Sequence, residues 1–218
     1  MSCTRALTSL SDWMCGTLVA RKATQYASIL YTPGYFVELL FWVEDKRFAI
    51  HFGVDPIAVV RAIVFNLRRR SVLQGASTIP QQVYTIRLSR SRRVSRSLPY
   101  KVKKISWSLY ASAAKSRASV LNEYVGTVYW GRSYHGLDEA AEGYFNTTRK
   151  SLSIAQSFFL AERLAAPNRV SVRRISNLLE RTPIKFALFR NGATLADIIN
   201  LYEGIYGCGG EIWQLQGK

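Results

Sequence analysis

Acidic residues are scarce in this sequence, and one long stretch lacks them entirely. The 218 residues include thirty Lys and Arg against fourteen Asp and Glu, which gives a formal charge of +16. No Asp or Glu occurs from residue 56 to residue 122, whereas fourteen Lys and Arg fall in that interval. An excess of this size indicates an anionic partner, and nucleic acid, an anionic membrane and a phosphate-bearing substrate all fit it.

Cysteine and histidine are also rare. The three cysteines, Cys3, Cys15 and Cys208, are too few for a disulfide-stapled scaffold. The two histidines, His51 and His135, do not have the spacing of a zinc site. The sequence therefore predicts neither a disulfide framework nor a zinc site.

Long apolar runs are missing from the N-terminal region. Charged residues such as Asp12 and Glu38 interrupt every candidate for the roughly 18 to 20 apolar residues of a spanning helix. We therefore interpret residues 1–30 as an N-terminal extension without a clear transmembrane helix, and residues 31–218 as one domain. The aromatic stretch from Tyr31 to Val43 has two interpretations, as buried core or as a segment at a bilayer surface.

Helical signals dominate the rest of the chain, so the predicted fold class is mainly α. Asp55 followed by Pro56 is typical of a helix start, and apolar residues then recur on one face. They are Ile57, Val60, Val64 and Leu67. Two further helices are predicted from their starts, one at Ser77 or Thr78 and one at the Ser153–Gln156 capping box. Four more are predicted as ranges: Lys101 to Ala114, Ser116 to Trp130 with Gly131 as cap, Val172 to Arg190, and Thr194 to Tyr206.

Serine alternates with arginine between Leu88 and Leu98, and this segment lacks helical periodicity. It predicts a basic loop between two helices. Such a loop is either a solvated segment or a contact surface for the phosphates of a nucleic acid.

Two adjacent acids, Glu44 and Asp45, follow the aromatic stretch directly. A carboxylate that is partly desolvated there would have a raised pKa, which suits a general base at neutral pH. Further on, residues 74–82 carry small residues, hydroxyls and two carboxamides into a helix start. Such a segment can hold a phosphate with backbone N–H groups, although it lacks the Lys-Ser/Thr ending of a Walker loop.

Together and in this order, these segments resemble glycosyltransferase family 51, the peptidoglycan glycosyltransferase domain of monofunctional transglycosylases and class A penicillin-binding proteins. The first motif of that family is matched by Glu44, Asp45, Phe48, His51 and Gly53. The second motif is matched by Gly75, Ser77, Thr78, Ile79, Gln81 and Gln82. The resemblance extends over later segments to about Arg174 and implies a mainly α, lysozyme-like fold.

The resemblance also implies an activity and roles for its residues. Enzymes of this family polymerise lipid II into glycan strands and release undecaprenyl pyrophosphate, in peptidoglycan biosynthesis and the maintenance of cell shape. Glu44 would be the general base, with Asp45 in support. The implied substrate-binding residues are Phe48, His51, Ser77, Thr78, Gln81, Gln82, Lys101 and Lys104.

The sequence departs from the family pattern at five places, and two of them, Asn122 and Gly126, replace a glutamate and an asparagine of one later helix. When the following helix is aligned without gaps, the second glutamate of the family's site falls on Lys104, and the arginine of the same motif falls on Tyr100. The lysine that usually follows the Gln-Gln pair falls on Thr85. A site with two carboxylates has thus become a site with one.

Three functional hypotheses follow. The first is a working, divergent peptidoglycan glycosyltransferase that requires no cofactor, with a divalent metal (Mg²⁺ or Mn²⁺) as an open option. The second is a catalytically impaired relative that binds lipid-linked glycan or a cell-wall synthase. The third is a basic module that binds nucleic acid or membrane, of which nucleic acid is the less expected partner. For the first two, the resemblance implies lipid II and an anionic membrane surface as partners, and the outer, periplasmic face of the bacterial cytoplasmic membrane as location.

Overall fold

The computed structural model describes residues 3–69, 75–89 and 97–216. Within them the chain forms twelve α-helices, one 3-10 turn and one two-stranded ribbon. The expected mainly α fold is therefore confirmed. The chain divides into two compact units: unit 1 comprises the residues up to Glu44 and from Tyr129 onward, and unit 2 comprises Asp45–Val128. The single domain predicted over residues 31–218 stays a prediction.

Unit 1 contains eight of the described helices. They are α1 (Cys3–Leu30), α2 (Gly34–Glu44), α7 (Leu137–Phe145), α8 (Ile154–Arg163), α9 (Val172–Leu179), α10 (Thr182–Arg190), α11 (Leu195–Tyr206) and α12 (Gly209–Gln216). The short strands β1 (Tyr129–Gly131) and β2 (Tyr134–His135) pair antiparallel, and Arg149–Ser151 forms the 3-10 turn.

The core of unit 1 lies where α2 packs against α1 and α8. Phe36, Leu39 and Leu40 of α2 are fully buried, and Phe41 meets Tyr26 of α1 edge to face with ring centroids 5.9 Å apart. For α2, the interpretation of the aromatic stretch as buried core is therefore confirmed. None of the helices in the described ranges is both long and apolar enough to cross a bilayer.

Unit 2 contains α3 (Pro56–Arg69), α4 (Ile79–Ser89), α5 (Leu98–Ala114) and α6 (Arg117–Val125). The predicted start of α3 is confirmed, because the side chain of Asp55 accepts a hydrogen bond of 3.0 Å from the backbone N–H of Ala58. α4 packs against both α5 and α6. The predicted Arg-rich loop falls between the last residue of α4 and the first residue of α5, and its residues 90–96 lie outside the described residues.

Two helix predictions were wrong in extent. The helix predicted to reach Trp130 ends at Val125, because a glycine and two β-branched residues follow and the next segment pairs as β1. The helix predicted from Val172 to Arg190 is divided into α9 and α10. Pro183, in the first turn of α10, lacks the N–H that a continuous helix would need. The capping boxes at Ser153 and Thr194 are formed.

Candidate active site

The acidic pair predicted to begin the site falls where the sequence passes from unit 1 to unit 2. Glu44 is the last residue of α2 and is half-buried, and the next residue, Asp45, begins unit 2. Asp45 is followed by a series of tight turns, in which the Phe48 N–H donates to the Asp45 carbonyl at 2.9 Å. The role of Glu44 as a general base stays a prediction.

Asp45 joins the first motif to the second. Its carboxylate lies 2.9–3.0 Å from Nε2 of His51, and Oδ2 also accepts a hydrogen bond of 3.0 Å from the backbone N–H of Ile79. Ile79 is the first residue of α4, so this carboxylate satisfies one of the free N–H groups at the start of a helix. Asp45 and His51 are both buried, and together they fix the first motif against α4.

Arg117 also fixes the turns of the first motif. Its Nη1 donates to the carbonyl of Phe48 at 2.9 Å and to that of His51 at 2.5 Å. Phe48 is itself fully buried and packs edge to face on His51, so the structure gives it a packing role. Its assignment to substrate binding stays a prediction. Sequence reasoning missed Arg117, because nothing in the sequence distinguishes it from the other cations of the acid-free interval.

The second motif is fixed by contacts of its own. The hydroxyl of Thr78 donates to the carbonyl of Gly53 at 2.6 Å, and Oε1 of Gln82 accepts a hydrogen bond of 3.0 Å from the hydroxyl of Tyr124. Gln81 is buried, whereas Ser77 is exposed at the end of the segment that leads into α4. Of the matched polar residues of this motif, Ser77 is therefore the most accessible to a ligand.

Gly53 allows this segment to approach α5 closely. Its φ of 79° lies in the left-handed region, and a Cβ atom placed on it would lie 2.3 Å from the carbonyl oxygen of Ser108. Any other residue would therefore be both strained and in collision with the backbone of α5. The close approach of α5 thus explains why the first motif has a glycine at this position.

The third motif places a lysine beside Ser77. Lys104 on α5 donates from Nζ to Oγ of Ser77 at 3.0 Å, and burial lowers the pKa of Lys104. Lys101, one turn earlier, is exposed. Thr85 and Tyr100, which stand where the family has lysine and arginine, hydrogen-bond to each other through their hydroxyls at 2.9 Å.

Glu123, on α6, is one of the three carboxylates of unit 2 and follows Asn122 directly. It forms ion pairs with Arg87 and, at 3.2 Å, with Lys115. Burial acts to raise its pKa, but the hydrogen bonds and charges of the two cations outweigh burial and hold the pKa below its ordinary value. Glu123 is thus engaged as the partner of two cations.

A divalent metal ion would need ligands among the residues that the structure describes. Mg²⁺ and Mn²⁺ prefer several oxygen ligands, with carboxylates among them. Within the described ranges, no three His, Cys, Asp or Glu residues are grouped so that they could hold a metal ion. Among the described residues there is thus no cluster that would hold a divalent cation by protein ligands alone.

Comparison with known proteins identifies the family. Residues 13–186 match the family model described as Transglycosylase, which covers most of the chain, and the chain therefore belongs to this family. The resemblance to glycosyltransferase family 51 is confirmed at this level.

Relatives of the chain are found among penicillin-binding proteins. It is 32% identical over 153 residues to penicillin-binding protein 1A of Aquifex aeolicus, covering 70% of this chain and 20% of the relative. It is 29% identical over 177 residues to penicillin-binding protein 1B of Haemophilus influenzae, covering 78% and 22% respectively. The penicillin-binding protein 1A of Vibrio cholerae is 33% identical over 150 residues, covering 66% and 18%. The chain thus spans about a fifth of the length of these relatives.

Proposed function

We propose that the chain is a peptidoglycan glycosyltransferase that polymerises lipid II and releases undecaprenyl pyrophosphate. The proposal depends above all on the hydrogen bond from the Ile79 N–H to Asp45, which joins the family's first and second motifs within unit 2. Family membership adds support. It also makes the transferase a better explanation of the motifs than a nucleic-acid-binding module.

The reaction gives each motif a task. The 4-hydroxyl oxygen of the acceptor sugar forms a bond to the anomeric carbon of the donor, while the bond from that carbon to the pyrophosphate breaks. The pyrophosphate leaves with the electron pair, and the hydroxyl proton passes to Glu44. Asp45 does not receive this proton in our proposal, because its oxygens are engaged by His51 and Ile79. It positions the residues on either side of it.

The leaving pyrophosphate is the ligand that we assign to the cations of α5. Lys104 and the exposed Lys101 supply positive charge where negative charge develops in the transition state. Ser77 offers a hydroxyl next to Lys104, and Gln81 and Gln82 lie on the first turn of the helix that follows it, α4.

Lys104 also favours a second candidate, an impaired relative that binds lipid-linked glycan without polymerising it. A lysine cannot supply the carboxylate that the family has at this position. The choice between the two candidates depends on whether Glu44 alone is a sufficient acid–base group.

Unit 2 also has surface features that suit an anionic membrane as partner. The apolar face of α3 is exposed, with relative exposures of 61% for Ile57, 61% for Val60 and 72% for Leu67. Arg68 and Arg69 lie at the end of the same helix. An amphipathic helix of this kind places its apolar face among lipid chains and its cations among headgroups. We therefore propose that the enzyme works at the outer face of the bacterial cytoplasmic membrane, where its lipid-linked substrate would lie.

Polymerisation of labelled lipid II tests the proposed activity. The purified chain should form glycan strands, and Glu44→Gln should reduce the rate by at least about 100-fold, because it removes the base. Glu180→Gln, an exposed carboxylate beyond the segments that carry the resemblance, is the matched control and should leave the rate unchanged. If the unaltered chain binds lipid II but forms no polymer, the impaired relative is the correct description.

A further inference from the structure

The carboxylates of unit 2 are few, and each is engaged elsewhere. Residues 45–128 contain only three acidic residues, Asp45, Asp55 and Glu123. Asp45 is bonded to His51 and Ile79, Asp55 to Arg47, and Glu123 to Arg87 and Lys115. Each of these three carboxylates already accepts hydrogen bonds, and Asp55 and Glu123 are paired with cations, which makes them poorer ligands for a metal ion.

The charge of unit 2 also opposes a bound dication. Sixteen Lys and Arg stand against the three acids, so unit 2 carries a formal charge of +13 out of +16 for the whole chain. A field of this sign repels Mg²⁺ and Mn²⁺ and attracts phosphate. For a ligand with two phosphates, the counter-charges in unit 2 are therefore lysine and arginine side chains of the protein.

We infer that the ammonium of Lys104, held by Ser77, takes the place of a divalent cation, so that unit 2 binds the phosphates of its ligand without metal. The inference identifies Lys104 as the cation that would act on the leaving group of the proposed reaction. It rests on the proposed function, because that function supplies the identity of the ligand. It concerns the residue that reverses the charge of the family motif.

The contact between Lys104 and Ser77 suits this task. An ammonium has three N–H donors, and the bond of 3.0 Å to Oγ of Ser77 uses one of them. The other two can donate to phosphate oxygens. Because the Ser77 oxygen accepts from Lys104, its own O–H is directed elsewhere and can donate to the same ligand.

The surroundings of Lys104 strengthen its attraction for an anion. Burial lowers the pKa of Lys104, which means that its ammonium has lost part of its hydration without gaining a carboxylate in exchange. A phosphate that binds there supplies the missing negative charge. A charge-assisted hydrogen bond in such a place is stronger than one at an exposed lysine.

Titration calorimetry of the full chain with inorganic pyrophosphate tests the inference directly. The chain should bind pyrophosphate in the presence of EDTA, and Mg²⁺ should not tighten the binding. Lys104→Gln should weaken it by about tenfold or more, the loss expected for one charge-assisted bond. Lys103→Gln, which removes an exposed lysine of the same helix, is the matched control and should have a much smaller effect.

Two further variants keep the inference testable if Lys104→Gln proves unstable. Lys104→Arg retains the charge and should retain binding in EDTA. Lys104→Glu places a carboxylate there and should make any remaining binding dependent on Mg²⁺. Binding by the unaltered chain that requires Mg²⁺, or equal losses for Lys104→Gln and Lys103→Gln, would overturn the inference.

The same measurements separate this inference from the proposed function. Pyrophosphate binding that depends on Lys104 and not on metal, in a chain that forms no polymer, would support the inference and reject the transferase. Polymer formation that stops in EDTA and resumes with Mg²⁺ would support the transferase and reject the inference.

Discussion

Asp55 performs two structural tasks with one carboxylate. Oδ1 accepts from the Ala58 N–H and caps α3, while both oxygens accept from Nε of Arg47 at 2.9–3.1 Å. Burial acts to raise its pKa, but the hydrogen bonds from Arg47 and Ala58 outweigh burial and leave the pKa below its ordinary value. Asp55 therefore ties the turns of the first motif to the start of α3.

Replacing Asp55 should destabilise the protein in a pH-dependent way. We expect Asp55→Ala to lower the free energy of unfolding by about 2–4 kcal/mol at pH 7, through loss of the cap and the ion pair. Asp55→Asn should cost less, because its amide oxygen can still cap α3. Urea unfolding measures both changes.

The pH dependence has a definite sign. A carboxylate with a lowered pKa in the folded state stabilises the protein above its unfolded pKa of about 3.9, and this contribution is lost as the pH falls through the folded value. The difference between Asp55→Asn and the unaltered chain should therefore shrink below about pH 4. A difference that grows on acidification would contradict this assignment.

At the scale of elements, α3 departs from the usual pattern of a helix in a soluble protein. Its apolar positions repeat on one face as the sequence predicts, yet that face is exposed, and only Ala58 and Ala62 of this helix are buried. An exposed apolar stripe of this size is uncommon unless it has a partner. In our proposal, the partner that covers this apolar face of α3 is the surface of an anionic membrane.

Polar substitutions on this stripe should separate stability from membrane binding. We expect the double variant Ile57→Gln and Leu67→Gln to change the free energy of unfolding by no more than about 0.5 kcal/mol, because both side chains are exposed. Its affinity for vesicles of anionic lipid should fall by about tenfold or more, since two apolar side chains no longer enter the bilayer. Sedimentation with vesicles measures the affinity.

A control for this experiment is available on α10. Phe189 is 82% exposed but belongs to unit 1, so Phe189→Gln should leave vesicle binding unchanged. Equal losses in the two variants would show that α3 has no special part in binding.

Local signals predicted the helices better than they predicted the contacts. The caps at Asp55, Ser153 and Thr194 act within three residues, so the sequence alone could locate them. The end of α6 at Val125 was missed because the apolar spacing continues beyond it, whereas the residues from Tyr129 onward pair as β1 with β2.

The contacts of the candidate site were harder to predict from the sequence than the helices were. The motifs identified Glu44, Asp45 and Lys104 as residues of interest, and the substitution at Lys104 was visible in the sequence. The bonds from Asp45 to Ile79, from Lys104 to Ser77 and from Arg117 to Phe48 join residues 27 to 69 positions apart. No periodicity or spacing rule reports contacts of that range.

At the scale of the whole molecule, charge is divided unevenly between the two units. Unit 2 carries a formal charge of +13 and the rest of the chain +3, although unit 2 is the shorter of the two. The excess of basic residues noted in the sequence thus belongs to the unit that holds most of the candidate site residues.

This distribution predicts how membrane binding responds to salt. Affinity for vesicles rich in anionic lipid should fall steeply between about 50 and 300 mM salt, as screening shortens the range of the attraction. Arg68→Gln with Arg69→Gln should flatten that dependence. Arg173→Gln with Lys185→Gln, two exposed cations of unit 1, is the matched control and should change it less. An affinity that does not respond to salt would contradict an electrostatic contribution.

The bond between Asp45 and Ile79 has a consequence for the way the protein folds. The two residues are 34 positions apart, so the bond forms only when the intervening chain has closed into a loop. Loop closure has an entropic cost that the packing of unit 2 must offset. We therefore expect this contact between the first motif and α4 to be absent until unit 2 has packed, so that a nascent or partly unfolded chain would lack the joined site.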